Sequence, residues 1–445
     1  MRSPVAAVRK TLTGLDPRVP WLSAALFVFL GARLSVLTFV SIYFVRDQGL
    51  PAAIVGVAFL SENIVRALAA PLAGSLSDRF GRTTLLAGSA LFAAVVMPAF
   101  LVVRDVPTLI VWSLAIGLAQ APFFPVGTAL LLDLVPLERR QSALALNYSV
   151  ISVGYTVAIA PAGFLAERGF AFLGLVSSGM FVLTATIVLS RLRGAPRDVA
   201  GATVDGPGLL ARSAQAFRDG PFVAFGLLAF TFPLGIGLVS LAFPLYATDG
   251  GVPASLIGLA LGASGLLVAA LAVPANRLLE GRGPVRSLPI ASVFVAASYV
   301  ALVATGSSFG GLFFAVTIFV LGEIVFAAAL PTAVAALAPL GARGSYQGAW
   351  GMVTALSFGS ALFLAGIGRA SIGWTATWLA FAALTLAAGV GLYVARGWLS
   401  QVAATRGASV GGSAGSDGRP RGDLRITHRD DADDRQVEAF REARE

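Results

Sequence analysis

The feature that most constrains the fold is a series of twelve apolar segments, each about 20 residues long, separated by short stretches that contain charges, proline or glycine. A bilayer core about 30 Å thick needs about 20 apolar residues in each crossing helix. With 57% hydrophobic and 12% charged residues, the chain cannot cover these segments with a polar surface. The sequence therefore predicts an all-α membrane protein with twelve transmembrane helices, at about 21–45, 52–73, 84–103, 108–132, 142–166, 170–190, 221–246, 254–275, 288–305, 311–334, 345–367 and 373–395.

The side chains that most often build enzyme and metal centres are scarce. The chain has no cysteine, which excludes disulfides, thiolate catalysis and cysteine-bound zinc. Its one histidine, His428, lies in a polar C-terminal stretch, and a single imidazole builds no metal site. The apolar segments also carry no cluster of histidines or paired aspartates of the kind that membrane enzymes use. We therefore predict no enzyme activity, no metal and no cofactor.

Arginine and lysine are distributed unequally between alternate loops. With the C-terminal tail left out, the N-terminal stretch and every second loop hold 17 of them, whereas the remaining loops hold four. The positive-inside rule assigns the arginine-rich loops to the cytoplasm. We therefore predict a multi-pass protein of the cell (inner or plasma) membrane with both termini cytoplasmic. This topology explains the net charge of +9 without a nucleic-acid partner, so the predicted partners are the lipid bilayer and a small-molecule substrate.

The chain also contains a weak internal repeat. A shift of 202 positions places six residues on identical ones: Asp47, Gly49, Pro51, Gly56, Leu76 and Gly81 on Asp249, Gly251, Pro253, Gly258, Leu278 and Gly283. Membrane proteins built from two similar halves are usually transporters. We predict a monomer with a cytoplasmic N-terminal segment (1–20), two six-helix bundles (21–190 and 221–396), a cytoplasmic linker (191–220) and a disordered cytoplasmic tail (397–445).

The loop between the second and third segments carries a motif that contains Gly74, Asp78, Arg79, Gly81 and Arg82. Together with the segment count and the duplication, it resembles the major facilitator superfamily, whose signature at this place is Gly, three residues and Asp-Arg-x-Gly-Arg. The resemblance implies a fold of two pseudo-symmetric six-helix bundles and secondary active transport by alternating access. The sugar-porter and peptide-porter signatures of the family are missing.

In the family, the aspartate of this motif meets the start of the eleventh helix. The resemblance therefore implies a latch that closes the cytoplasmic side, with Asp133 at the end of the fourth segment as a further member. Its residues are Gly74, Asp78, Arg79, Gly81, Arg82 and Asp133. In the alternative interpretation, these charges only set the topology among lipid headgroups. The second copy has Glu280 in place of Asp78 and Pro284 in place of Arg82, which predicts a weaker latch there.

Four charged residues fall deep within the apolar segments: Arg33, Glu62, Arg66 and Glu323. An isolated charge at the bilayer centre costs at least about 2.5–3.5 kcal/mol, so these side chains should face the protein interior. Arg33 and Glu62 lie at similar depths in adjacent antiparallel segments, and Arg66 is one helical turn from Glu62. We predict a network of these three, which either braces two helices or takes part in coupling.

Glu323 lies near the middle of the tenth segment without a charged partner in that segment. Such a carboxyl group can bind and release a proton, which makes Glu323 the best candidate for coupling, although a protonated glutamate that only forms hydrogen bonds is a rival interpretation. Gln120, in the fourth segment, is a candidate cavity residue. These residues favour proton-coupled efflux of small amphipathic or drug-like compounds, with the proton gradient as the energy source. An uptake symporter or uniporter is the alternative, and a membrane receptor or enzyme is a remote one.

Overall fold

The computed structural model describes residues 16–136, 139–192, 215–279, 283–339 and 342–412. His428, Glu280 and most of the predicted linker and tail lie outside these ranges. The first half of the described chain consists of six helices: α1 (Val19–Asp47), α2 (Ala52–Phe80), α3 (Arg82–Val102), α4 (Val106–Asp133), α5 (Arg140–Arg168) and α6 (Phe170–Arg191). The second half consists of α7 (Gly220–Asp249), α8 (Ala254–Leu279), α9 (Pro284–Thr305), α10 (Phe309–Leu337), α11 (343–372) and α12 (374–412).

These helices confirm the predicted all-α membrane fold. Ten stretches of the described chain are long and apolar enough to cross a membrane, and the last of them, Arg343–Arg406, contains α11 and most of α12. Gly373 separates these two helices with a φ of +76°, a conformation that favours glycine. α5, which is not one of these ten stretches, has 29 residues and is therefore about 43 Å long. The described chain thus contains twelve helices long enough to cross a bilayer.

Successive helices run in opposite directions, so the molecule has two membrane sides. On one side α2 ends and α3, α5 and α11 begin. This side carries Arg79, Arg82 and Arg343, and we call it the arginine-rich side. The opposite side carries the ends of α1, α5 and α7, with Arg46 and Glu167.

The internal repeat is visible in the structure. Gly49 and Gly251, which are equivalent in the repeat, both have positive φ angles of +69° and +82° and both form the turn before a long helix. Gly56 and Gly258, another equivalent pair, both lie where the two bundles touch. A Cβ atom on Gly56 would collide with the backbone of Phe363, and one on Gly258 would lie 2.9 Å from a carbonyl oxygen of α5. The two halves therefore use the same positions for the same structural purpose.

The bundles meet on the opposite side. There α2 packs against α11 and α5 packs against α8, and both contacts depend on glycine because the backbones approach too closely for a side chain. At the first contact, a Cβ on Gly359 would lie 3.0 Å from Leu60. At the second, a Cβ on Gly262 would lie 2.8 Å from Ala160. These close approaches fall in the halves of the four helices that are nearer the opposite side.

The structure corrects the predicted boundary of the disordered tail (397–445), because α12 continues to Gly412. Arg406, near its end, donates two hydrogen bonds of 2.8 Å to the carboxylate of Asp219, which immediately precedes α7. Arg406 also donates to the carbonyl oxygen of Leu337, at the end of α10. The polar extension is therefore bonded to residues at the ends of two other helices. Local composition could not predict these contacts, because their partners are distant in the sequence.

Candidate functional site

A cavity of about 620 Å³ lies between the two bundles and extends toward the arginine-rich side. α1, α2 and α4 form one wall and α11 forms the other. Most lining side chains are apolar, such as Ala70, Phe124 and Met352. The polar lining residues of the first wall gather where α1, α2 and α4 meet: Arg33, Asn63, Arg66 and Gln120. A cavity of this volume and composition accepts a small amphipathic molecule.

Glu62 lies at the centre of the charged network. One of its oxygens, Oε1, is 3.2 Å from Nη2 of Arg33 and 3.3 Å from Nε of Arg66. The Glu62 side chain is only 2% exposed, whereas that of Arg66 is 28% exposed and lines the cavity. The structure thus brings the three predicted residues together. Both arginines line the cavity, whereas the buried carboxylate that they contact does not.

Two amides complete this network. Asn63 donates to Glu62 Oε2 at 2.8 Å and accepts a hydrogen bond from Arg66. Gln120 accepts a hydrogen bond from Nε of Arg33. Gln120 is a predicted site residue, whereas Asn63 was not identified from the sequence. An amide next to a deep glutamate in an otherwise apolar helix is the signal that would have identified it.

The close contact between α2 and α4 positions these groups. A Cβ atom on Gly117 would lie 2.5 Å from the backbone oxygen of Glu62, so only glycine allows α4 to lie so close to α2 at this level. Gln120 follows Gly117 by one turn and is thereby placed against Arg33. The geometry of the network therefore depends on a residue that carries no functional group.

Glu323 is not part of this network. It lies in the middle of α10 and is partly exposed, between the buried residues Gly322 and Ile324. It does not line the cavity, and within the described ranges it forms no hydrogen bond or ion pair. The structure therefore does not bring Glu323 together with Arg33, Glu62, Arg66 or Gln120.

The charged residues of the predicted latch divide into two groups. Arg82 and Asp133 form an ion pair between the start of α3 and the end of α4, within the N-terminal bundle. Asp78 and Arg79 are exposed, and Asp78 contacts no charged group in the part of the chain that the structure describes. The expected contact of Asp78 with the start of α11 is therefore not made in this conformation. Of the remaining two, Gly74 lines the cavity and Gly81 makes the turn after α2 with a φ of +91°.

Polar contacts join the bundles on the opposite side. The hydroxyl of Ser41 donates to the carbonyl of Leu241 at 3.3 Å, and Arg46 donates to the carbonyl of Thr248 at 3.0 Å. Glu167, at the end of α5, accepts a hydrogen bond of 2.8 Å from the backbone N–H of Ser255. The bundles are thus bonded to each other on the opposite side, while the cavity separates them on the arginine-rich side.

This arrangement can be compared with known proteins. A family model described as Major Facilitator Superfamily matches residues 21–322. The chain belongs to the Major Facilitator Superfamily. One relative is "Multidrug resistance protein MdtH" of Aeromonas hydrophila. It is 26% identical to this chain over 324 residues, which cover 73% of this chain and 80% of that protein. "Uncharacterized MFS-type transporter YqjV" of Bacillus subtilis is 24% identical over 325 residues, or 70% and 77% of the two chains.

Solved structures of transporters share the fold. The nucleoside transporter NupG superposes with a TM-score of 0.71 at 14% identity, covering 85% of this chain and 99% of its own. A peptide transporter, POT, determined in complex with sulfate, superposes with a TM-score of 0.72 at 14% identity, covering 88% and 96%. These structures share the architecture of two six-helix bundles with the chain. Its membership of the superfamily makes it a multi-pass membrane transporter.

Proposed function

We propose that this transporter exports small amphipathic or drug-like molecules in exchange for protons, by alternating access. The observation that carries the proposal is the cavity between the bundles, which has apolar walls, a polar cluster where α1, α2 and α4 meet, and a volume of about 620 Å³. These properties suit a small molecule with one polar end. The multidrug resistance function in the names of the MdtH relatives supports the same substrate class.

The two sides of the molecule support the alternating-access part of the proposal. The bundles touch on the opposite side, and the cavity lies between them toward the arginine-rich side. Since the positive-inside rule assigns arginine-rich loops to the cytoplasm, we infer that this conformation takes up substrate from the cytoplasm or the inner leaflet. In the other conformation, Asp78 would meet the start of α11 and the contacts of Glu167 would open.

We assign substrate contact to Arg33, Arg66 and Gln120, with Glu62 as the carboxylate that holds the two arginines in place. The coupling role falls to Glu323, because it is a carboxyl group in the middle of α10 with no ion-pair partner within the described ranges. A group of this kind can bind a proton from one side and release it to the other as the bundles move. The proton gradient is then the energy source.

The test is pH-gradient-driven export of a fluorescent amphipathic dye from everted vesicles or proteoliposomes. We expect the wild-type protein to accumulate the dye only when the gradient is present, and Glu323→Gln to abolish this gradient-driven accumulation while leaving dye exchange at equilibrium intact. Arg168→Gln, which changes an exposed arginine outside the cavity, is the matched control. Full gradient-driven transport by Glu323→Gln would remove the coupling role from this residue.

The direction of transport is tested in the same vesicles. With dye preloaded on one side, counterflow is followed while a proton gradient of either sign is imposed. Export coupled to protons predicts that dye and protons move in opposite directions. Movement of both in the same direction would replace efflux with uptake by a symporter, and movement unaffected by the gradient would indicate a uniporter.

A further inference from the structure

The polar end of the cavity has an excess of positive charge. Arg33 and Arg66 are the charged residues among the described residues that line the cavity. One carboxylate, that of Glu62, lies between them. The cluster therefore has one more positive charge than negative charge. An uncompensated charge at this depth is costly, so the site favours a ligand that supplies the missing negative charge.

The orientation of Gln120 indicates where that ligand would lie. Its side-chain oxygen accepts the hydrogen bond from Nε of Arg33, which can only donate. Its Nε2 must then point elsewhere, and there it has no hydrogen-bond partner although the residue is only 2% exposed. Because Gln120 lines the cavity, a buried donor without a partner is left beside the cavity. Leaving such a donor unpaired is unfavourable.

The guanidinium of Arg66 also has a donor to spare. Its Nε faces Glu62 Oε1 at 3.3 Å, its side chain is 28% exposed at the cavity, and its Nη1 makes no hydrogen bond to the described residues. Nη2 of the same guanidinium is already used by Asn63. A planar guanidinium binds carboxylates especially well because its N–H groups match the two oxygens.

From these three observations we propose that Arg33, Arg66 and Gln120 form a subsite for the carboxylate or similar anionic group of an amphipathic substrate, whose apolar part lies against Phe124, Met352 and Phe358. The proposal rests on the proposed transport function and narrows it from drug-like molecules in general to organic anions. A cationic drug would instead add a positive charge to a cluster that already has one in excess, which is unfavourable.

The test compares three probes of similar size by calorimetric titration of the purified full-length protein: naphthalene-2-acetate, its neutral carboxamide and the cationic 2-(2-naphthyl)ethylamine. We expect the carboxylate to bind about tenfold more tightly than the carboxamide, which is about 1.4 kcal/mol, and the amine to bind more weakly than either. Arg66→Gln should reduce carboxylate affinity to that of the carboxamide and leave carboxamide affinity unchanged, whereas Arg66→Lys should keep part of the preference.

Two further variants separate charge recognition from damage to the fold. Gln120→Glu can still accept the hydrogen bond from Arg33, so it should fold, and its added negative charge should abolish the preference for the carboxylate. Arg168→Gln should keep the preference. Equal or tighter binding of the carboxamide or the amine, or no binding of the carboxylate, would overturn the proposal. Since binding is measured without a proton gradient, this result is independent of whether gradient-driven export succeeds.

Discussion

The carboxylate of Glu167, at the end of α5, accepts a 2.8 Å hydrogen bond from the backbone N–H of Ser255 in the first turn of α8. The two residues belong to different bundles. A negative charge is stabilised at a helix N-terminus, so this contact holds the opposite side closed. Asp78 is the residue that the superfamily resemblance assigns to the same task at the start of α11, and here it is exposed. The proposed alternating access predicts this arrangement, in which each side has one acid and only one of the two acids is bound to the other bundle.

The first prediction concerns Glu167→Ala. Loss of a helix cap costs about 1 kcal/mol, which corresponds to about a fivefold change in the ratio of two conformations. We therefore expect the variant to open more often on the opposite side. The chain has no cysteine, so a single Ser41→Cys reporter on the buried interface can be labelled with a membrane-impermeant maleimide, and its labelling rate should rise about fivefold.

A matched control is available for this measurement. Asp105→Asn also removes an acid that caps a helix on the opposite side, but Asp105 accepts its hydrogen bond from Thr108 within α4. It should therefore leave the labelling of Ser41→Cys unchanged. If Glu167→Ala labelled no faster than this control, the contact between Glu167 and Ser255 would have no part in holding the side closed.

The second prediction separates the two groups of latch residues. Asp78→Asn should leave the thermal unfolding midpoint unchanged, because surface substitutions without special contacts usually change stability by less than about 0.5 kcal/mol, but it should slow transport because the other conformation loses its contact. Arg82→Gln should lower both stability and transport, since it leaves Asp133 without its partner. A reduced midpoint in Asp78→Asn with normal transport would contradict the assignment.

The third prediction concerns the Glu62 network. Glu62→Gln removes the only acid between Arg33 and Arg66 among the described contacts, and breaking a buried ion pair from one side typically costs about 3–5 kcal/mol. The unfolding midpoint, followed by the fluorescence of the six tryptophans, should fall markedly. The double variant Glu62→Gln/Arg66→Gln should recover part of the loss, because it removes one uncompensated charge. Additive losses would mean that the two residues are not coupled.

The network shows how much of the site the sequence predicts. Charges within apolar segments are costly in lipid, so Arg33, Glu62 and Arg66 could be assigned to the interior before the structure was known. Their spacing on adjacent antiparallel helices was enough to group them. Asn63 and the role of Gly117 required the structure, because the approach of α4 to α2 depends on the packing of two helices and not on local sequence.

Glu323 and the end of α12 show the limits of the same reasoning. Depth in a segment places Glu323 within the membrane, but the direction of its side chain depends on how α10 is rotated against its neighbours. The composition of the α12 extension predicts a polar tail. Arg406 nevertheless donates a hydrogen bond to Asp219, which lies 187 positions earlier in the chain. Contacts between distant residues of this kind leave no periodic pattern in the sequence.

The fourth prediction uses this last contact. The hydrogen bonds from Arg406 lower the pKa of the Asp219 carboxyl from its ordinary value of 3.8. The charged form is therefore stabilised in the folded protein, and this contribution is fully present above the unfolded value and is lost as the pH falls through the lowered pKa. Asp219→Asn should reduce the unfolding midpoint at neutral pH by an amount that corresponds to about 1.5–3 kcal/mol, the range for hydrogen bonds to charged groups.

The difference in midpoint between the wild-type protein and Asp219→Asn should stay constant from about pH 8 to pH 5 and shrink only below about pH 4, because the carboxylate becomes protonated there. Arg406→Gln should produce a loss of similar size, and the double variant should lose little more than the larger single loss, since both changes remove the same contact. A difference that grows as the pH falls, or losses that add in the double variant, would show that Asp219 and Arg406 stabilise the protein independently of each other.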